Sequence, residues 1–419
     1  MVPAVDADSV TALAAEPLDW RFKGLPASWW GRTPAEVCHR APNLFDAGPV
    51  SPVCVLSASA LAHNLSTMAR WCRRHKVELA PHGKTHMAPQ LAERQLGAGA
   101  SAITVATISQ ARTFRAFGVR DIVLANELVD PAGLRWLAGE MAADAAFGLT
   151  CWVDSVRGVE LMSEALGAAG AARPVDVCVE VGMAGGRTGC RDAATVDAVA
   201  RAAAASPLLR LVGVAGYEAA LGHDVTGAAI ADVAGYLADV RAAVVRLADT
   251  FEGEHVIVTA GGSTYFDTVA EVLTGGWPAG LSVRTILRSG CYLTHDDGLY
   301  LRTSPLARTG LTVSSQLRPA MSVWAQVIST PEPGLAVVGM GRRDVSYDQD
   351  LPVPYGLSGR VTKLNDQHAY LHLGPDDDVR VGMWLQFGIS HPCTVFDKWP
   401  MIPVLDHDNR VVELIRTFF

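Results

Sequence analysis

The chain has 419 residues, of which 49% are hydrophobic and 19% charged, with a formal net charge of −8 and a pI near 5.8. That length exceeds the size at which single cores stop growing, so one large barrel with an added domain, or two comparable domains, is expected. The acidic balance argues against nucleic acid or an anionic membrane surface as the main partner and leaves a small-molecule ligand. No stretch approaches the roughly 20 uninterrupted apolar residues of a membrane helix. Met1–Asp8 lacks a basic region followed by an apolar core, so no secretion signal is expected. The eight cysteines show no C-x-x-C spacing, and five sit in apolar runs, which predicts a reducing, cytoplasmic setting.

Residues 1–50 carry Trp20, Trp29 and Trp30 among prolines without a clear period, and read as an extension held to the rest by its aromatics. From Pro52 short β-branched runs recur: Val53–Leu56, Val77–Ala80, Ala102–Ala106, Asp121–Ala125, Leu149–Val153, Val175–Val181, Leu211–Ala215, Val256–Thr259 and Thr285–Leu287. Alanine-rich stretches with helical spacing lie between them, as in 60–75, 109–117, 195–204 and 228–250. Nearly continuous apolar runs are what strands buried on both faces look like, and their alternation with helices implies parallel β-α units. Eight or nine units over residues 51–306 fit an α/β, TIM-like (β/α)8 barrel, which typically takes about 250 residues, better than a doubly wound sheet. After Leu306 the helical period disappears, and runs such as Leu335–Val338, Ala369–Leu373 and Trp384–Phe387 are divided by Pro, Gly and Asp turns. Residues 307–419 are therefore expected to form an antiparallel β-domain.

In a parallel barrel the reacting groups gather at the C-terminal ends of the strands. Val77–Ala80 delivers Lys84 to the turn Pro81-His82-Gly83-Lys84-Thr85-His86. A lysine there suits Schiff-base chemistry, because the strand fixes its position and partial desolvation favours a nucleophilic amine. Gly261-Gly262-Ser263-Thr264 follows one strand and Arg288-Ser289-Gly290 the next, where backbone N–H groups can face a phosphate. Glu180–Gly189 is a second glycine-rich strand end, whose Arg187 offers a fixed fork to an anionic oxygen. Tyr217-Glu218 ends another strand, where the ring can stack on or hydrogen-bond a planar group. Far along the chain, His391-Pro392-Cys393 on an extended segment would turn both side chains toward one metal ion, since i and i+2 share a strand face. Taken singly, each motif has a plain structural reading: a solvated lysine, an N-cap turn, a surface arginine, a core-capping tyrosine, an H-x-C pair without metal.

Together and in this order, from about Pro52 to the C-terminus, they resemble the D-serine dehydratase and D-threonine aldolase family of pyridoxal-phosphate enzymes with the alanine-racemase-like fold. The resemblance rests on Pro81–His86, Glu180-Val181-Gly182 with Arg187 and Gly189, Gly216-Tyr217-Glu218, Ala260–Ser263, Arg288–Tyr292 and His391-x-Cys393. It implies a barrel and a β-domain, in a homodimer. It implies that Lys84 carries the cofactor and acts as base, that Arg187 lies near its phenolic oxygen and Tyr217 near its pyridine nitrogen, and that Gly261, Gly262, Ser263, Gly290 and Cys291 fall in the phosphate cradle. His391 and Cys393 match divalent-metal ligands, with zinc favoured over manganese or magnesium by the soft thiolate. Family members with H-x-C look like dehydratases and those with H-x-D like aldolases. The implied activity is therefore dehydration of a D-3-hydroxy amino acid such as D-serine to a keto acid and ammonia. The alternatives are cleavage of Cα–Cβ to glycine and an aldehyde, and a non-catalytic pyridoxal-phosphate-binding protein.

Overall fold

The structure, a computed structural model, describes residues 5–308, 312 and 315–419. It divides into two compact units, one built mainly from Ala69–Lys84 and Gln95–Gly290, the other from Ala7–Met68, Thr85–Arg94 and Cys291–Phe419.

The first unit is a TIM-like barrel of eight parallel strands: Glu78–Leu79, Ile103–Val105, Asp121–Glu127, Gly148–Val153, Val175–Val181, Leu209–Gly216, Val256–Ala260 and Val283–Leu287. From Ile103–Val105 onward each strand pairs with its successor, and Val283–Leu287 pairs back onto Glu78–Leu79. A bridge between His82 and Thr104 closes the ring. Between strands, five helices start where a short polar side chain can accept an orphan N–H: Thr107, Asp130, Ser155, Asp192 and Thr226 each do so. Ala80, Ala102 and Ala215 leave room in the barrel core for Trp152, which packs there with Val123, Cys178, Val212 and Ile286. Small residues beside one large ring fill the interior without a void.

The second unit holds a nine-stranded sheet that is antiparallel apart from one pair. Val53–Ser57 lies inside it, antiparallel to Met321–Glu332 and parallel to Met401–Leu405. That corrects the place of this run, which the sequence rhythm counts with the barrel strands. Four buried apolar residues in a row look the same at the centre of either kind of sheet, and the choice of partner is a tertiary matter. Leu18, Phe22, Leu25, Trp29, Val37 and Leu44 pack against Val53, Val55, Met401 and Leu414, so the first fifty residues contribute to the core of this unit. Of the three early tryptophans only Trp29 is buried, at 3% exposure, whereas Trp20 and Trp30 face solvent.

Replacing Trp29 by Ala should therefore lower the stability of the chain by about 3–5 kcal/mol, the usual cost of emptying a buried aromatic site. The urea midpoint of the variant measures it, and an unchanged midpoint would show that the extension is dispensable to the core.

Candidate functional site

Lys84 lies in a single 3₁₀ turn, Gly83–Thr85, just past the first barrel strand. Gly83 is required there by close approach, since a Cβ would come within 2.6 Å of the Phe114 ring and 2.7 Å of Ile103. His82 is neutral: burial, then the charges of Lys84, Arg288 and Arg187, push its pKa well below the ordinary value. Arg288, 3% exposed, donates to Thr259 Oγ1 and to the Gly216 carbonyl, each at 2.6 Å, tying together the ends of three strands. Burial lowers its pKa, and the carboxylates of Glu218 and Glu180 oppose that effect.

The glycine-rich end after Val175–Val181 folds back on its strand through Gly182 N–H to Cys190 O and Cys190 N–H to Glu180 O. Gly189 sits at φ +96°, and a Cβ on it would meet Gly182 N at 2.5 Å, so only glycine fits. Arg191 donates to the carbonyls of Gly186, Arg187, Thr188 and Gly189, fastening the loop that presents Arg187. The Arg187 guanidinium lies 4.3 Å from the centre of the Tyr217 ring. Tyr236 links the neighbouring strand ends, donating to Val181 O at 2.6 Å and accepting from Tyr217 N–H at 2.9 Å.

At the expected phosphate turn, both Gly261 and Gly262 donate their N–H groups to the buried carboxylate of Glu218, at 2.9 and 2.6 Å. The helix that follows starts only at Phe266. Ser263 and Thr264 thus stand between a turn already bonded to a carboxylate and the helix, and Ser289 Oγ donates to Gly262 O to hold that turn. Gly290 is the last residue of this unit. Glu127 is a further strand-end group that the sequence did not single out. Its pKa is pushed up to about 8 by burial, by Glu180 and by Asp154. Neither Glu127 oxygen nor Glu180 Oε2 has a hydrogen-bond partner among the described residues, and the neighbouring Glu180 adds to the burial that favours the protonated form of Glu127.

In the second unit, His391 and Cys393 do come together, by a route other than the extended segment expected. His391 has a left-handed backbone at φ +59°, and Cys393 opens a short helix, Cys393–Phe396. A tight turn, and not strand alternation, brings the two side chains to one place. The His391 ring bonds the carboxylate of Asp348 at 2.5 Å, and its backbone N–H donates to Asp296 Oδ2 at 2.9 Å. Cys291 reaches this group as well, its Sγ 3.5 Å from Cys393 Sγ. The Cys291 thiol, against burial and with help from His391, holds the Cys393 thiol well below its ordinary range. Asp296 also accepts the N–H groups of Gly298, Tyr300 and Leu301, so its carboxylate clamps this turn from within the fold. Asp344 is tied to Lys23 at 2.9 Å and to Gly341 N–H at 3.0 Å. His86 is a buried turn residue that accepts the Ala88 N–H.

The alanine racemase N-terminal domain family matches residues 56–267, and a serine dehydratase domain family matches residues 320–405. A D-threonine aldolase from an Arthrobacter species is 31% identical over 86% of this chain and 88% of its own length. The chain belongs to the alanine-racemase-like family of fold type III pyridoxal-phosphate enzymes. The crystal structure of D-threonine aldolase from Filomicrobium marinum, 26% identical, covers 88% of this chain and 95% of its own with a TM-score of 0.74. A D-threo-3-hydroxyaspartate dehydratase from a Delftia species is 36% identical over 75 residues, 18% of this chain and 20% of its own. As in any enzyme of this family, the barrel mouth must accept an anionic cofactor, and its chemistry fits one. Lys84, Arg187 and Arg288 supply positive charge there, and His82 Nδ1 and Arg288 Nε are buried without a protein partner among the described residues.

The raised pKa of Glu127 makes stability depend on pH. Glu127 ionises near its ordinary value of 4.5 when unfolded and near 8 when folded. Its contribution is full below pH 4.5 and is lost as pH rises toward 8. Glu127→Gln should flatten that decline, by on the order of 1 kcal/mol at pH 8 after solvent screening. Urea midpoints at several pH values test it, and equal slopes for both proteins would refute the raised pKa of Glu127.

Proposed function

We propose that the chain is a pyridoxal-phosphate- and metal-dependent lyase of D-3-hydroxy amino acids, working as a homodimer, that cleaves the Cα–Cβ bond to release glycine and an aldehyde. The observation that carries this reading is the match over 86% of the chain to a D-threonine aldolase, with a lysine, Lys84, at the end of the first barrel strand. Pyridoxal phosphate, when bound, supplies an electron sink for the pair left at Cα. Lys84 anchors it and moves the proton at Cα. Arg187, stacked on Tyr217 and fastened by Arg191, provides a positive group for an anionic oxygen, while Ser263, Thr264 and Gly290 line the strand ends where a phosphate belongs.

His391 and Cys393 would hold a divalent metal. The donor set of an imidazole and a thiolate suits zinc better than manganese or magnesium. Such an ion would supply a Lewis acid for an oxygen donor, the chemistry that cleavage of Cα–Cβ beside a β-hydroxyl calls for. A second reading, dehydration to a keto acid and ammonia, is favoured by Cys393 and by the shorter match to D-threo-3-hydroxyaspartate dehydratase.

The two readings part on products. With D-threonine the aldolase should yield glycine and acetaldehyde, a chelator should abolish the reaction, and zinc should restore it. Ammonia with 2-oxobutanoate would establish the dehydratase, and no product from D-threonine, D-phenylserine or D-serine would remove both. Lys84→Ala should lose the visible absorption of the lysine-bound cofactor and essentially all turnover, and a variant that kept the wild-type spectrum would displace Lys84 from this role.

A further inference from the structure

We propose that Asp348 is the positioning residue of the metal centre: it fixes the tautomer and orientation of His391 so that Nε2 is the nitrogen offered to the metal. The inference rests on the metal reading above and assigns a role to a carboxylate that the sequence motifs leave out.

His391 is constrained from two sides. Its backbone takes a left-handed conformation, uncommon for a non-glycine residue. Asp296 holds the backbone there: its Oδ2 accepts the His391 N–H at 2.9 Å while Oδ1 takes three further N–H groups. That fixes where the side chain leaves the backbone and leaves the ring free to rotate. Asp348 removes the remaining freedom. Its Oδ2 lies 2.5 Å from Nδ1 of the ring, and its Oδ1 accepts the Thr394 hydroxyl at 2.9 Å. Asp348 is therefore held by the short helix that Cys393 opens, which couples the ring to the position of the second ligand.

An ionised carboxylate only accepts, so the proton between the two groups sits on Nδ1. In a neutral imidazole the lone pair is then on Nε2. A metal-bound histidine commonly donates its other ring N–H to a carboxylate in this way, which orients the ring and raises its basicity as a ligand.

The test is zinc affinity of the full chain, measured by competition with a chromophoric chelator. Asp348→Ala should weaken zinc binding about 10–100-fold. Asp348→Asn, whose amide oxygen can still accept the Nδ1 proton, should weaken it less. Affinity of Asp348→Ala within about twofold of wild type, beside a clear loss in His391→Ala, overturns the role of Asp348 and leaves the metal reading intact. Failure of the wild-type protein to bind zinc, or wild-type affinity in His391→Ala, overturns the metal reading and this inference with it. Should the alanine variant not fold, nitrogen-15 spectra of histidine-labelled wild-type protein with zinc decide the matter. The ring signal missing from His391→Ala should show a protonated Nδ1 and a metal-bound Nε2, and metal on Nδ1 would overturn the proposal.

Discussion

A guanidinium buried in a protein must be met by acceptors, and Arg288 at the mouth of the barrel organises its surroundings for that reason. Removing a charge from water costs several kcal/mol unless hydrogen bonds replace the water. The replacements are the Gly216 carbonyl and the Thr259 hydroxyl, with the carboxylates of Glu218 and Glu180 nearby. Glu218 in turn takes the N–H groups of Gly261 and Gly262, so one buried cation and one buried anion together shape the ends of three successive strands. The ring of eight parallel strands makes this possible, because it gathers residues more than 200 positions apart at one mouth.

The β-unit solves a different problem. Its candidate ligands lie two apart in sequence, and what brings them together is a local departure from regular structure. His391 leaves the extended conformation, Cys393 starts a helix, and Asp296 and Asp348 fasten the turn from outside it. Both carboxylates belong to segments at least 40 residues away in the chain. The result is a histidine, a thiol and a second thiol, Cys291, in contact across a span of 102 residues.

Much of the barrel is legible in the chain. The runs at Val175–Val181 and Val256–Thr259 stand in the structure within one residue of their expected ends, because short valine-rich runs are the signature of strands buried on both faces. Val53–Ser57 shows the limit of that signal, since burial on both faces does not say which sheet does the burying. The candidate residues Lys84, Arg187, Tyr217, His391 and Cys393 are also visible as polar groups at strand ends or in a close pair. Their supports are less visible: Arg191 and Tyr236 bond backbone groups, and nothing about a surface-like arginine or a helical tyrosine marks that task. Glu127 hides at the end of a strand as one more polar residue until its neighbour Glu180 is known.

The sequence by itself determined the class of chemistry. The order of a strand-end lysine, two glycine-rich ends and a late histidine-cysteine pair depends on residue type and spacing, which local geometry enforces. The tertiary structure alone decided who partners whom: Glu218 with the glycine amides, Glu127 with Glu180, Cys291 with Cys393, and Asp348 with His391. These are encounters between side chains far apart in the chain, and their energies depend on burial and distance. Periodicity carries no record of either.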